Sequence, residues 1–396
     1  MIYLFLASFG LVIYGTLYPF VFTADAHTGG LAAAFAQSMF VLPGRGDILS
    51  NIVLFLPFGF FGMQALPQKL PAVVRYGLVF GLGVAISFFI ECAQYYTPSR
   101  TTSLYDLGLN AISALVGAAA GRFNWQGMVA GGADGVRPRS IFPLMLIAAW
   151  LGYRLFPYVP TIDFQQVKNA IKPLLNIAST PPLDVFRHFV VVLMLGRLLQ
   201  AVTTPGRAML GLVLIAFGII AAKPFIVTKA ISPGELIGAV AGVITWIAFL
   251  GRMNARTLVV ALLFAIAVAA QGLVPFELRA DPGRFSFIPF SGFEGGSMST
   301  NLQAFMEKIF LYGALIWIVL QVGASMAVSI TLVVALLAGI EIAQTFIQGR
   351  SSEITDPLLG LIMGFTLIAL ERHYRMTAKT APGGAYEPDR ASAAAR

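Results

Sequence analysis

Apolar runs long enough to cross a lipid bilayer recur along the whole of this chain, and that recurrence limits its fold more than any single motif. A spanning helix needs roughly 17–25 mostly apolar residues, because the hydrocarbon layer is about 30 Å thick. Such runs are read at 2–20, 48–66, 73–95, 104–121, 140–158, 184–202, 207–227, 233–251, 257–275, 304–322, 326–346 and 354–370. Backbone polar groups in lipid must be satisfied within the spanning segments. The expected fold is therefore an all-α integral membrane protein with about 12 transmembrane helices. Composition agrees, since only 11% of residues are charged, against about 25% in an ordinary soluble domain. A large soluble core is excluded, and the 40 glycines suit close helix packing in lipid.

The net charge of +8 is carried by basic residues scattered singly through loops, which speaks for membrane topology and against nucleic-acid binding. Lys69, Arg75, Arg122, Arg137, Arg139, Arg207, Arg252, Arg256, Arg372, Arg375 and Lys379 fall on one side. Their slight excess predicts that both termini are cytoplasmic. The run Ile2 to Phe20 is read as a retained helix, because no basic residue precedes it as in a signal peptide. Cys92 is the only cysteine, so no internal disulfide forms.

Three patterns recur in the same order, about 117 to 137 residues apart. A proline-aromatic pair ends an opening span at Tyr18-Pro19-Phe20, Phe156-Pro157-Tyr158 and Val274-Pro275-Phe276. A polar residue stands twelve positions before a glycine in Asp47 and Gly59, Asp184 and Gly196, and Asn301 and Gly313. The third pattern keeps two six-residue spacings: Gln94, Arg100, Asp106; Lys223, Lys229, Glu235; Gln344, Arg350, Asp356. Glu91 and Glu341 also correspond, with Ile220 in the middle. The expected organisation is three repeats of a four-helix unit, at 1–122, 139–252 and 255–375, followed by a disordered cytoplasmic tail at 376–396. Four spans return the chain to its starting side, so the repeats are parallel rather than inverted.

Polar residues gather toward one end of each unit. Glu91 and Gln94 share a helix face, as do Asp106 and Asn110, and as do Asp47 and Asn51. A carboxylate within the membrane boundary costs about 2.5–3.5 kcal/mol on insertion scales unless paired. Arg100 is the expected partner of Glu91, with Asp106 completing a carboxylate–guanidinium–carboxylate network. The polar site is thus expected at Asp47, Asn51, Glu91, Gln94, Arg100, Asp106 and Asn110, and again at Glu341, Gln344, Arg350 and Asp356. His188, at the register of Asn51, is read as a satisfied polar residue. The loop Phe287-Ile288-Pro289-Phe290 is expected on the membrane surface. No metal-ligand spacing, nucleophile elbow or phosphate loop occurs, so no metal or cofactor is expected.

The first unit resembles the VanZ-like family of bacterial membrane proteins, named for glycopeptide (teicoplanin) resistance. The resemblance is carried by Leu17-Tyr18-Pro19-Phe20, by Asp47-x3-Asn51-x2-Leu54-Phe55-x-Pro57-Phe58-Gly59, and by Glu91-x2-Gln94-x5-Arg100-x2-Ser103-x2-Asp106-x3-Asn110. It covers residues 1–121; weaker likeness extends to about 370, with Phe305 and Gly360 at the asparagine positions of the third unit. The resemblance implies a multi-pass protein of the bacterial cytoplasmic membrane built of four-helix units. Three functions stay open at this stage. One is binding or handling of envelope lipids or lipid-linked glycans at an outward-facing site, with an effect on glycopeptide or envelope-stress sensitivity. Another is an intramembrane enzyme using Glu91 as general acid or base and Arg100 to hold a phosphate. The last is a structural or partner-binding role.

Overall fold

The computed structural model describes residues 1–17, 20–23, 29–39, 45–98, 102–122, 142–290 and 298–380. Each expected span overlaps a helix among them. Two compact units result; among the described residues the first holds those up to Arg122 with Met298 and Ser299, and the second those from Phe142 to Phe290 and from Thr300 onward.

The first unit contains α1 (Ile2–Leu17), α2 (Leu31–Ser38), α3 (Arg45–Ala65), α4 (Ala72–Gln94) and α5 (Leu104–Arg122). The closest pair is α3 and α5, and glycine is the reason. A Cβ on Gly59 would strike the backbone of Ala114, and a Cβ on Gly117 or Gly121 would strike the carbonyls of Leu56 and Phe60. Small residues at such crossings let membrane helices gain dispersion contacts. Val12, Leu17, Phe55, Phe58, Ile86, Ile90 and Ala114 fill the space around that crossing.

The second unit runs through α6 (Phe142–Leu155), α7 (Phe164–Ile171), α8 (Pro182–Val202), α9 (Pro205–Ala222), α10 (Pro233–Ala248), α11 (Arg256–Leu273), α12 (Met298–Val322), α13 (Met326–Gln344) and α14 (Thr355–Thr380). Proline opens α8, α9 and α10, where its fixed φ suits the first turn and its missing N–H costs nothing. Ser325 caps α13 by accepting from the Val328 amide at 3.3 Å. The short helices α2 and α7 were not foreseen from periodicity. The last helix continues past the expected boundary at 375 to Thr380, and 381–396 lie outside the described residues. The only strands among the described residues are two-residue segments, β1 (Phe285–Ser286) and β2 (Ser352–Glu353), paired in parallel.

Eight of the described helices are long and apolar enough to cross a membrane; Ile2–Leu17 and Phe142–Leu155 are apolar but shorter. Their outward faces are apolar, with Val73, Phe89, Leu214, Leu262 and Ile342 all exposed. A soluble protein does not leave continuous apolar faces uncovered on most of its helices. The chain is an all-α, multi-pass membrane protein.

Three backbone features recur at matching places. After each proline-aromatic pair the aromatic residue has positive φ (Phe20 61°, Tyr158 61°, Phe276 64°), a conformation uncommon for side chains with a Cβ. The amides of these three residues bond to the carbonyls of Leu17, Leu155 and Leu273 at 2.8, 3.0 and 2.8 Å. Three residues further on, Thr23, Thr161 and Arg279 donate to Tyr96, Phe225 and Phe346 at 2.8, 2.9 and 2.9 Å. Each bond ties the exit of an opening helix to the turn between the second and third long helices that follow.

Candidate functional site

Polar side chains collect beside these ties. In the first unit Glu91, on the last turn of α4, is 2% exposed and accepts from the Ser103 amide at 2.7 Å. Ser103 in turn accepts from the Asp106 amide at 3.3 Å, which starts α5. Asp106 Oδ1 accepts from Asn51 Nδ2 at 2.9 Å, joining α5 to α3. Gln94 Nε2 donates to the Thr16 carbonyl at 3.0 Å, and Asn110 Nδ2 to Ser87 Oγ at 2.9 Å. Arg100 and the side chain of Asp47 lie outside the described residues, and with them the expected Glu91–Arg100 pair.

The last helices, α11 to α14, repeat part of this scheme. Glu341 accepts from the Glu353 amide at 2.8 Å, as Glu91 does from Ser103. Gln344 donates to the Gly272 carbonyl at 2.9 Å, as Gln94 does to Thr16. Arg350 departs from the pairing expected of Arg100 by analogy. Its guanidinium bonds to the carbonyls of Val274 (2.6 Å) and Gln271 (3.0 Å) rather than forming the centre of a carboxylate network. The physical reason is the end of α11. Its last carbonyls lack intrahelical donors and carry the negative end of the helix dipole, which a forked cation satisfies well. Asp356 is held instead by Lys308 and by Tyr312 Oη at 2.5 Å.

These residues line a cavity of about 310 Å³ between α11, α12, α13 and the start of α14. Its wall carries the carboxylates Glu307, Glu341, Glu353 and Asp356, the cations Lys308 and Arg350, and the phenol of Tyr312. Leu311, Leu337 and Ile340 close its apolar side. Ligand pockets begin at roughly this size, about 300 Å³. A space this polar, set among apolar spans, can hold a phosphate, a sugar or an ammonium through charge-assisted hydrogen bonds.

The middle helices, α6 and α8 to α10, use the same end of the bundle differently. Glu235, at the start of α10, is bound by both Arg154 from α6 and Lys223 from the end of α9. All three are largely buried. Ser232 accepts from the Glu235 amide and donates to Asp184, both at 2.9 Å. His188 contacts Asp184 Oδ1 at 3.3 Å and Arg154 at 3.4 Å, the satisfied role expected of it. Lys229 donates to Gln303 at 3.3 Å; burial, and next the Arg154 charge, pull its ammonium below its ordinary value.

Five contributors escaped the motif reading: Arg154, Glu307, Lys308, Tyr312 and Glu353. A cation inside an apolar span is the signal that marks Arg154 and Lys308, because such a charge needs a buried partner. Tyr312 carries no comparable mark. Among the described residues no group of three or more His, Cys, Asp or Glu is placed to hold a metal ion.

Apolar helices enclosing polar, partly ionic clusters define a helical membrane protein. Residues 4–124 match the VanZ/LLP1 family, so a VanZ-like segment occupies the first unit. No curated protein and no solved structure matches the chain.

Proposed function

We propose that the chain consists of three parallel four-helix repeats in a bacterial inner membrane, and that its last repeat binds the polar head group of an envelope lipid or a lipid-linked glycan. The repeat reading is supported by the recurring turn at Phe20, Tyr158 and Phe276, and by the bond from Thr23, Thr161 or Arg279 to the matching turn. With both termini in the cytoplasm, as the distribution of basic residues favours, the polar ends face outward.

The observation that carries the binding reading is the cavity of about 310 Å³ beneath Glu341, Tyr312 and Lys308. Lys308 has N–H groups beyond the one bound to Asp356 and can meet a phosphate oxygen. Glu341 uses one oxygen for the Glu353 amide and lies within hydrogen-bonding reach of Asp356, so a hydroxyl or ammonium can bind where the two carboxyl groups meet. The apolar wall of Leu311, Leu337 and Ile340 suits the first part of a lipid tail. Any effect on glycopeptide or envelope-stress sensitivity would follow from withdrawing or presenting such a lipid.

Native mass spectrometry of the purified protein in a bacterial membrane lipid extract tests this. One polar lipid class should be retained, and Lys308→Ala and Glu341→Gln should each release it. Equal retention by wild type and both variants, with all three folded, would remove the proposal. The same incubation reads the enzymatic alternative, since chemical change of the retained lipid would mark turnover.

A further inference from the structure

Helix α7 (Phe164–Ile171) divides its surface three ways. One edge is bound to the protein: Ala170 is 1% exposed, its carbonyl accepts from the Ile231 amide at 2.9 Å, and Gln166 Nε2 donates to the carbonyls of Ile226 and Lys229. A second edge is polar, with Gln165 donating to Asn169 at 3.1 Å, one turn apart. The third edge is apolar and uncovered. Phe164 is 70% exposed, Leu175 just beyond the helix 87%, and Ile162 just before it 98%. Lys168 lies one turn after Phe164 with its ammonium 4.7 Å from the ring centre, and Lys172 follows one turn later.

The start of this helix is written locally, since Asp163 accepts from the Gln165 amide at 2.9 Å and fixes the first turn. At about 1.5 Å per residue it is far too short to span a bilayer. It joins α6 to α8, so it stands where spans meet water.

We propose that α7, with the flanking Ile162 and Leu175, is an interfacial anchor that lies in the lipid–water boundary and takes anionic phospholipid. An apolar strip edged by lysines, opposite a polar strip, is the arrangement that sinks into the head-group region and draws negative lipids. Lysine stems extend over the apolar strip while their ammonium groups remain at head-group level. Because α7 also holds the carbonyls of Ile226 and Lys229, lipid contact on one edge bears on the turn held by the other.

The test starts from Cys92→Ser, which removes the only cysteine. Single cysteines then replace Phe164, Leu175, Gln165 or Asn169, all exposed, and carry an environment-sensitive fluorophore. The full chain is reconstituted in phosphatidylcholine vesicles with and without phosphatidylglycerol, and brominated acyl chains serve as quencher. Labels at 164 and 175 should be quenched several-fold more than labels at 165 and 169. Phosphatidylglycerol should increase that difference, and Lys168→Glu with Lys172→Glu should abolish the increase. Equal quenching at all four positions overturns the anchor. So does quenching at 164 and 175 that appears only on dilution of protein in lipid, which would assign the strip to a second copy. Unchanged thermal melting of each labelled protein shows that the fold is intact.

Discussion

The middle and last sets of four long helices place polar groups at matching positions, yet one closes on itself and the other stays open. In the last set Gln344 reaches the Gly272 carbonyl, and a cavity remains beside Glu341. In the middle set the corresponding positions, counted from the proline-aromatic pair and from the six-residue pattern, hold Arg154 and Lys223. Both side chains converge on Glu235, while Ile220 stands where Glu341 would be. The middle set thus holds a buried ion cluster where the last set keeps a cavity. On the repeat reading proposed above, three positions decide between an open cavity and a closed ionic lock.

The largest expected effect comes from breaking the lock. Glu235→Gln leaves Arg154 and Lys223 without their shared carboxylate in an apolar setting. Removing one partner of a buried pair costs about 3–5 kcal/mol. Thermal unfolding in detergent should show a large drop in Tm, with reduced protein in the membrane. A Tm unchanged within error would mean that the cluster is hydrated and contributes little.

Next is helix crossing in the first unit. Gly59→Leu drives a side chain into the backbone of Ala114, and overpacking of this kind costs about 1–3 kcal/mol or more. The same measurement on Gly77→Leu, where no atom lies within 4 Å of a Cβ, should show little change. Equal loss in both variants would contradict the close approach of α3 and α5.

In the last set the contrast is between binding and folding. Gln at position 341 can still accept from the Glu353 amide, so Glu341→Gln should leave Tm within a few degrees while weakening head-group binding about tenfold, or about 1.4 kcal/mol. Equal binding would mean that the carboxylate is structural. The smallest effect is expected from Gln344→Ala, which removes one bond to a backbone carbonyl. Hydrogen bonds between membrane helices average about 0.6 kcal/mol, so a small Tm shift is expected. A drop comparable to that of Glu235→Gln would erase the distinction between the two sets.

Much of this was legible in the sequence, and the part that was not has physical causes. Span length and apolarity announce helices, because the bilayer allows few alternatives. Glu91 with Gln94, and Glu341 with Gln344, could be placed on shared faces from spacing alone. The destination of Arg350 could not, because the carbonyls of Gln271 and Val274 leave no trace in residue identity. Nor could the meeting of Arg154 with Glu235, 81 positions apart, which depends on which helices become neighbours. Helix α7 was missed because eight residues fall below the window in which periodicity is read.

Site-resolved photocrosslinking with a lipid carrying a photoreactive head group puts the contrast between open and closed sets to its most direct test. Crosslinks should map to peptides containing Lys308, Tyr312 and Glu341, and should fall about tenfold in Glu341→Gln. Peptides containing Asp184, Lys223 and Glu235 should stay unlabelled. Equal labelling of both groups, or labelling unaffected by Glu341→Gln, would contradict the assignment of an open binding site to the last set and a closed ion cluster to the middle one.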